Sequence, residues 1–157
     1  MNRNKELFMR KAIELSVENV KNGGGPFGAV ITKADKIIST GVNLVTKSND
    51  PTAHAEINAI RKAARKLGAF DLSGYELFTS CEPCPMCLAA IYWAHIDKIY
   101  YANTKTDAKE IGFDDSFIYD ELDLPPNDRK IKMVQILPDE AIRAFEAWTE
   151  KEDKIRY

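Results

Sequence analysis

Apolar residues recur at steps of three and four through the first twenty positions. Met9, Ile13, Val17 and Val20 form one stripe, Phe8, Ala12 and Leu15 widen it, and Asn22-Gly23 ends it. That period predicts a helix over residues 4–21 whose apolar face covers a sheet. The period then shortens. Ala29-Val30-Ile31-Thr32 and Ile37 to Val42 read as two strands around a polar turn at Lys33–Lys36. A second helical stripe runs through Ala53, Ile57, Ile60, Ala64 and Leu67, with Asp50 placed to cap it and Pro51 suited to its first position. Tyr75 to Thr79 is a strand, the next helix runs to about His95, and Lys98 to Ala102 is a further strand. Residues 104–130 are polar and irregular except for Phe113 to Tyr119, where an aspartate-capped turn with inward aromatics is the reading from local chemistry. Ile131 to Ile136 alternates like a last strand, and Pro138-Asp139 opens a final helix bearing Ala141, Phe145 and Trp148 on one face.

Strands alternating with helices imply an α/β protein whose sheet is covered on both faces. Five strands are expected, in one domain over residues 1–157. Ligands in such sheets gather beyond the carboxyl ends of strands, and two short segments there carry the candidate chemistry.

The first segment is Thr52-Ala53-His54-Ala55-Glu56. The second is Ser80-Cys81-Glu82-Pro83-Cys84-Pro85-Met86-Cys87. A histidine, a carboxylate two residues later and a distant Pro-Cys-x-x-Cys form the signature of zinc deaminases. Zinc favours imidazole nitrogen and thiolate sulfur, and a catalytic zinc keeps one position for water. His54, Cys84 and Cys87 are the candidate ligands, and Glu56 is left free to move protons. Cys84 reads as a helix cap and Cys87 falls in the first turn, where the helix dipole favours thiolates. Residues two apart on a helix do not share a face. His54 and Glu56 therefore converge only if the site sits at the helix tip, around which both can lean. Two other readings stay open: Cys81 as a fourth ligand closing a structural Cys3His site, and Cys84-Cys87 as a redox pair.

Nearby residues are candidates for ligand contact. Gly23-Gly24-Gly25-Pro26-Phe27-Gly28 lacks a phosphate-loop pattern. It is either a flexible turn or a pocket wall offering the Phe27 ring. Asn43, at a strand end, is either a turn residue or a reader of a ligand's hydrogen-bonding edge. His95 has no partner at metal spacing.

Composition narrows the class. Apolar residues make up 45% of the 157, ordinary globular usage, so disorder is not expected. The net charge of −2 argues against a nucleic-acid footprint. Arg61, Lys62, Arg65 and Lys66 read as the solvated face of a helix. Three cysteines, two in a metal-like pair, fit a reducing compartment. The longest apolar run, Met86 to Ala94, is far short of the roughly 20 residues that span a bilayer. The expectation is a soluble cytoplasmic protein.

The chain resembles the cytidine-deaminase-like superfamily through the two metal segments. Within it, Gly25-Pro26-Phe27-Gly28-Ala29-Val30, Asn43, Gly112 to Tyr119 and the terminal Tyr157 are similar to the small bacterial guanine deaminases, nearly end to end. The resemblance implies a three-layer α/β/α sandwich with a mixed five-stranded sheet. It implies zinc on His54, Cys84 and Cys87, and hydrolytic deamination of guanine to xanthine and ammonia with Glu56 as proton shuttle. It makes Asn43 and Phe27 contacts of the purine base and puts Asp115 and Tyr157 near the departing amino group. It also implies a homodimer in which the C-terminal segment, about residues 138–157, is exchanged, so that Tyr157 acts in the partner's site. The same chemistry on tRNA adenosine, cytosine or a nucleoside is the rival activity, and a non-catalytic zinc protein is the other.

Overall fold

The structure is a computed structural model that describes residues 3–157. The chain divides into two compact units, one up to Asp115 and one comprising Ser116–Tyr157.

In the first unit, α1 (Arg3–Lys21) leads through the glycine loop into β1 (Gly28–Lys33) and β2 (Lys36–Val42). The two strands form a hairpin whose turn residues, Ala34 and Asp35, both have positive φ, as a tight right-twisting hairpin requires. A single helical turn, α2 (Val45–Ser48), precedes α3 (Ala55–Leu67). Then follow β3 (Glu76–Cys81), α4 (Pro85–Trp93), β4 (Lys98–Asn103) and α5 (Lys105–Glu110). The sheet order is β2-β1-β3-β4; β1 is antiparallel to both neighbours, and β3 and β4 are parallel.

Alternation along the strands sorts the core into two layers. Ala29, Ile31 and Leu77 point to one face and pack with Ala55, Ala59 and Ala63 of α3 and Ile91 of α4. Val30 and Phe78 point to the other and pack with Ala12 and Phe8 of α1. The Phe78 ring stacks on Tyr100 at 4.5 Å between centroids. Helices therefore cover both faces of this sheet, as the alternating pattern implied.

Two glycines set how closely the helices approach. A Cβ on Gly28 would lie 2.4 Å from the Ala12 carbonyl oxygen, and one on Gly41 would lie 2.0 Å from that of Ala55. Only hydrogen fits at either place, so α1 and α3 are drawn onto the strands beside the carboxyl ends of β2 and β3.

The sheet has four strands rather than five. Among the described residues, Ile131 to Ile136 pairs with no strand, and Ile131, Val134 and Ile136 are all more than three-quarters exposed. Side-chain alternation reports what a strand would present. It does not report whether an edge is available to satisfy the backbone, and an unpaired strand leaves its N–H and C=O groups to solvent. The second unit instead holds α6 (Ser116–Asp123) and α7 (Pro138–Glu150). Arg129 donates to the carbonyls of Leu124 and Leu122 across the connecting segment.

The start of α3 also departs from expectation. Asp50 does not cap it. Its carboxylate accepts the Thr52 N–H at 2.8 Å and hydroxyl at 2.7 Å, closing a local turn. The helix begins four residues later than the Pro51 reading, at Ala55.

Gly41→Ala should destabilise the fold by about 1–3 kcal/mol, because the added methyl meets helix backbone that cannot rotate away. A fall in the urea midpoint at unchanged slope is the expected result; an unchanged midpoint would show that α3 can give way.

Candidate active site

His54 is the N-cap residue of α3 and Cys84 that of α4, and neither side chain makes a cap hydrogen bond. Both are left to face each other. The His54 Nδ1 lies 3.6 Å from the Cys84 Sγ and 3.5 Å from the Cys87 Sγ. The three ligand atoms lie within 4.8 Å of one another, a grouping able to hold a metal ion. Glu56 is in the first turn of α3 and is 6% exposed. The Thr79 hydroxyl donates to its Oε1 at 3.2 Å and the Cys87 thiol to its Oε2 at 3.5 Å. The helix tip brings His54 and Glu56 to one place despite their two-residue spacing.

Burial pushes the Glu56 carboxyl above its ordinary range, since the charged form loses water. The Cys84 thiol is held down to about 4, chiefly by a hydrogen bond from Cys87 and then by one from His54. Cys87 is pushed up by the same bond and by its burial. His54 is raised by its bond to Cys84.

These groups open into a cavity of ≈ 320 Å³, at the small end for ligand pockets. Gly25, Phe27 and Asn43 line it on one side and Phe113 and Asp115 on another. The Phe27 and Phe113 rings meet edge to face at 5.0 Å. The Asn43 Oδ1 accepts the Val45 N–H at 3.2 Å, which leaves its amide N–H groups for a ligand. The Asp115 carboxyl is raised by partial burial and then by the Cys84 charge. Tyr157 belongs to the second unit and is 73% exposed.

A family model for the cytidine and deoxycytidylate deaminase zinc-binding region matches residues 2–103. The chain belongs to this deaminase family. It is 54% identical to guanine deaminase of Bacillus subtilis over 98% of this chain and 99% of that one. The crystal structure of that enzyme superposes with a TM-score of 0.95 at 53% identity, covering 100% of this chain and 99% of the other. A tRNA-specific adenosine deaminase of Aquifex aeolicus is 36% identical over 82% of each chain.

Zinc is the metal of this family, and the ligand geometry suits it. A nitrogen about 2.0 Å and a sulfur about 2.3 Å from one tetrahedral ion lie about 3.5 Å apart, close to the two separations measured here. Cys81 does not join the group. Its thiol donates to the Thr104 carbonyl at 3.6 Å, and burial pushes its pKa up to about 11. Its sulfur is engaged at the start of α5 and lies outside the group of His54, Cys84 and Cys87, which argues against a closed Cys3His site.

The sequence reading missed several residues that shape the cavity. Phe113 was part of a noted aromatic stretch but not named as a wall. Lys105 and Ala108 come from α5, a helix hidden in the polar segment. Its start is marked by Thr104 and Asp107, which form a capping box visible as Thr-x-x-Asp. Glu82 ties that helix to the metal segment by accepting the Lys105 N–H at 3.0 Å.

Cys81→Ser should keep one zinc per chain through gel filtration, whereas Cys84→Ser should lose it; atomic absorption reads both, and metal loss in Cys81→Ser would reinstate it as a ligand. A second outcome concerns stability. Because burial raises the folded-state pKa of Glu56, the fold loses stability as pH rises from the ordinary value of 4.5 to that raised pKa, and the loss then levels off. Zinc-free Glu56→Gln should therefore melt higher than the parent near neutral pH, with the gain fading as pH falls toward 4.5. A lower midpoint for the variant near neutral pH would contradict this.

Proposed function

We propose that this chain is a zinc-dependent guanine aminohydrolase, converting guanine and water to xanthine and ammonia. The carrying observation is a buried acid, Glu56, held beside a three-residue metal set rather than within it. His54, Cys84 and Cys87 hold the ion. When bound, zinc supplies a Lewis acid that makes water a nucleophile near neutral pH.

Glu56 does the proton work. Water adds to the purine carbon that bears the amino group, and Glu56 carries one water proton to the ring nitrogen; it then carries the proton of the new hydroxyl to the amine, which leaves as ammonia as the carbon–nitrogen bond breaks and the carbonyl forms. A carboxyl pushed above its ordinary range by burial can both accept and release that proton. Thr79 holds the Glu56 carboxyl in place through its Oε1.

The base is held by its edge and its face. The free amide N–H of Asn43 suits an acceptor such as guanine O6, whereas adenine carries a donor there. Phe27 supplies an aromatic surface against the ring, and Asp115 lies toward the amino group being lost. The net charge of −2 favours a small neutral base over tRNA. The end-to-end similarity to a guanine deaminase, against the lower identity to a tRNA enzyme, supports the same substrate.

The reading extends to a homodimer that exchanges residues 138–157, carrying Tyr157 to the partner's cavity. The exposed Phe145 and Ile142 of α7, with Ile131 and Val134 before it, support a covered state in solution. The three free thiols suit the reducing cytoplasm, and among the described residues no helix is long and apolar enough to cross a membrane.

Ammonia release tests the substrate: zinc-loaded protein should turn over guanine well ahead of adenine, cytosine, their nucleosides and tRNA. Glu56→Gln should keep its zinc and lose about 10²–10⁴-fold in kcat. Strong turnover in that variant would remove Glu56 from the proton path, and a preference for tRNA would overturn the substrate.

A further inference from the structure

Asn19 lies on α1, outside the cavity lining, yet it is only 4% exposed. Its single amide nitrogen donates two bonds of 2.8 Å, one to the Gly25 carbonyl and one to the Asn43 carbonyl. Those acceptors sit in two different segments that face the cavity. Further backbone bonds close the network: the Phe27 N–H donates to Gly25 at 2.8 Å, and the Asn43 N–H donates to the Phe27 carbonyl at 3.2 Å. Packing leaves no slack. A Cβ on Gly24 would lie 2.4 Å from the Asn19 Nδ2, and one on Gly25 would lie 3.0 Å from the Asn43 Cγ.

We propose that Asn19 is a positioning residue for base recognition, fixing the spacing between the Phe27 loop and Asn43 from behind the cavity wall. It rests on the reading of Asn43 and Phe27 as contacts of the purine. An amide with two N–H donors is the side-chain group that bridges two backbone carbonyls in this way without adding charge. Loss of either bond frees one wall relative to the other, and the amide of Asn43 then spends less time where the ligand edge needs it. The chemical step, built on the helix tips, is left alone. The signature is therefore in KM and not in kcat.

The test is a double-variant cycle on the zinc-loaded protein with guanine as substrate. Asn19→Leu should raise KM about tenfold, the equivalent of one neutral hydrogen bond, with kcat and zinc content near the parent values. Asn43→Ala should also raise KM. In the Asn43→Ala background, Asn19→Leu should add little, because its effect travels through Asn43. Gly24→Ala gives a second route should Asn19→Leu fold poorly. Gly24 has φ outside the left-handed region, so the methyl displaces the Asn19 amide without backbone strain, and KM should rise likewise. Additive penalties, or a fall in kcat at unchanged KM, would overturn the positioning role and leave the contact role of Asn43 standing. An Asn43→Ala protein with unchanged KM would overturn the reading of Asn43, and the positioning role with it.

Discussion

Two helix N-termini meeting at one point are the constraint on which this molecule depends. An N-cap side chain ordinarily turns back on its own helix, a bond worth about 1 kcal/mol. Here His54 and Cys84 both occupy cap positions and neither makes that bond. Their side chains are turned toward each other and toward Cys87. The exposed N–H groups and dipoles of α3 and α4 favour negative charge there, consistent with a thiolate held at Cys84. A metal ion would complete the arrangement by taking up the charge that the two helices and the cysteines concentrate.

That arrangement holds only because the sheet brings the helices close. Gly41 lets α3 lie against β2, and Gly28 lets α1 lie against β1. The alanines of α3, at positions 55, 59 and 63, keep its buried face thin. Bulkier residues would lift the helix tip away from α4 and separate the ligands. The buried Glu56 is the corresponding cost. It accepts bonds from the Thr79 hydroxyl and the Cys87 thiol, yet burial leaves it costly as an ion, and useful for that reason. Strain of this kind at a reactive group, offset by close packing around it, is a recurrent division of labour in enzymes.

The cavity wall shows a different principle. Its polar geometry is set by backbone atoms as much as by side chains, and those atoms are held by Asn19, which the cavity does not contain. The metal residues are placed by helix geometry. The wall is placed by hydrogen bonds between segments far apart in the chain, so the two halves of the site can be perturbed separately.

The chain's local patterns were enough to read both metal segments, the three-and-four period of α1, α3 and α7, and the short runs of the four paired strands, because each depends on residues a few positions apart. Periodicity also read Ile131 to Ile136 as a strand and Pro51 as a helix start, and in both places a local pattern lacked the partner that would have realised it. The capping box at Thr104 was equally local and could have been found. Only the tertiary structure decided that Asn19 bridges Gly25 and Asn43, that Phe113 meets Phe27, and that Cys81 turns to Thr104 and not to the metal group. Those contacts join residues separated by up to 86 positions. No period in a sequence records such a distance; packing does.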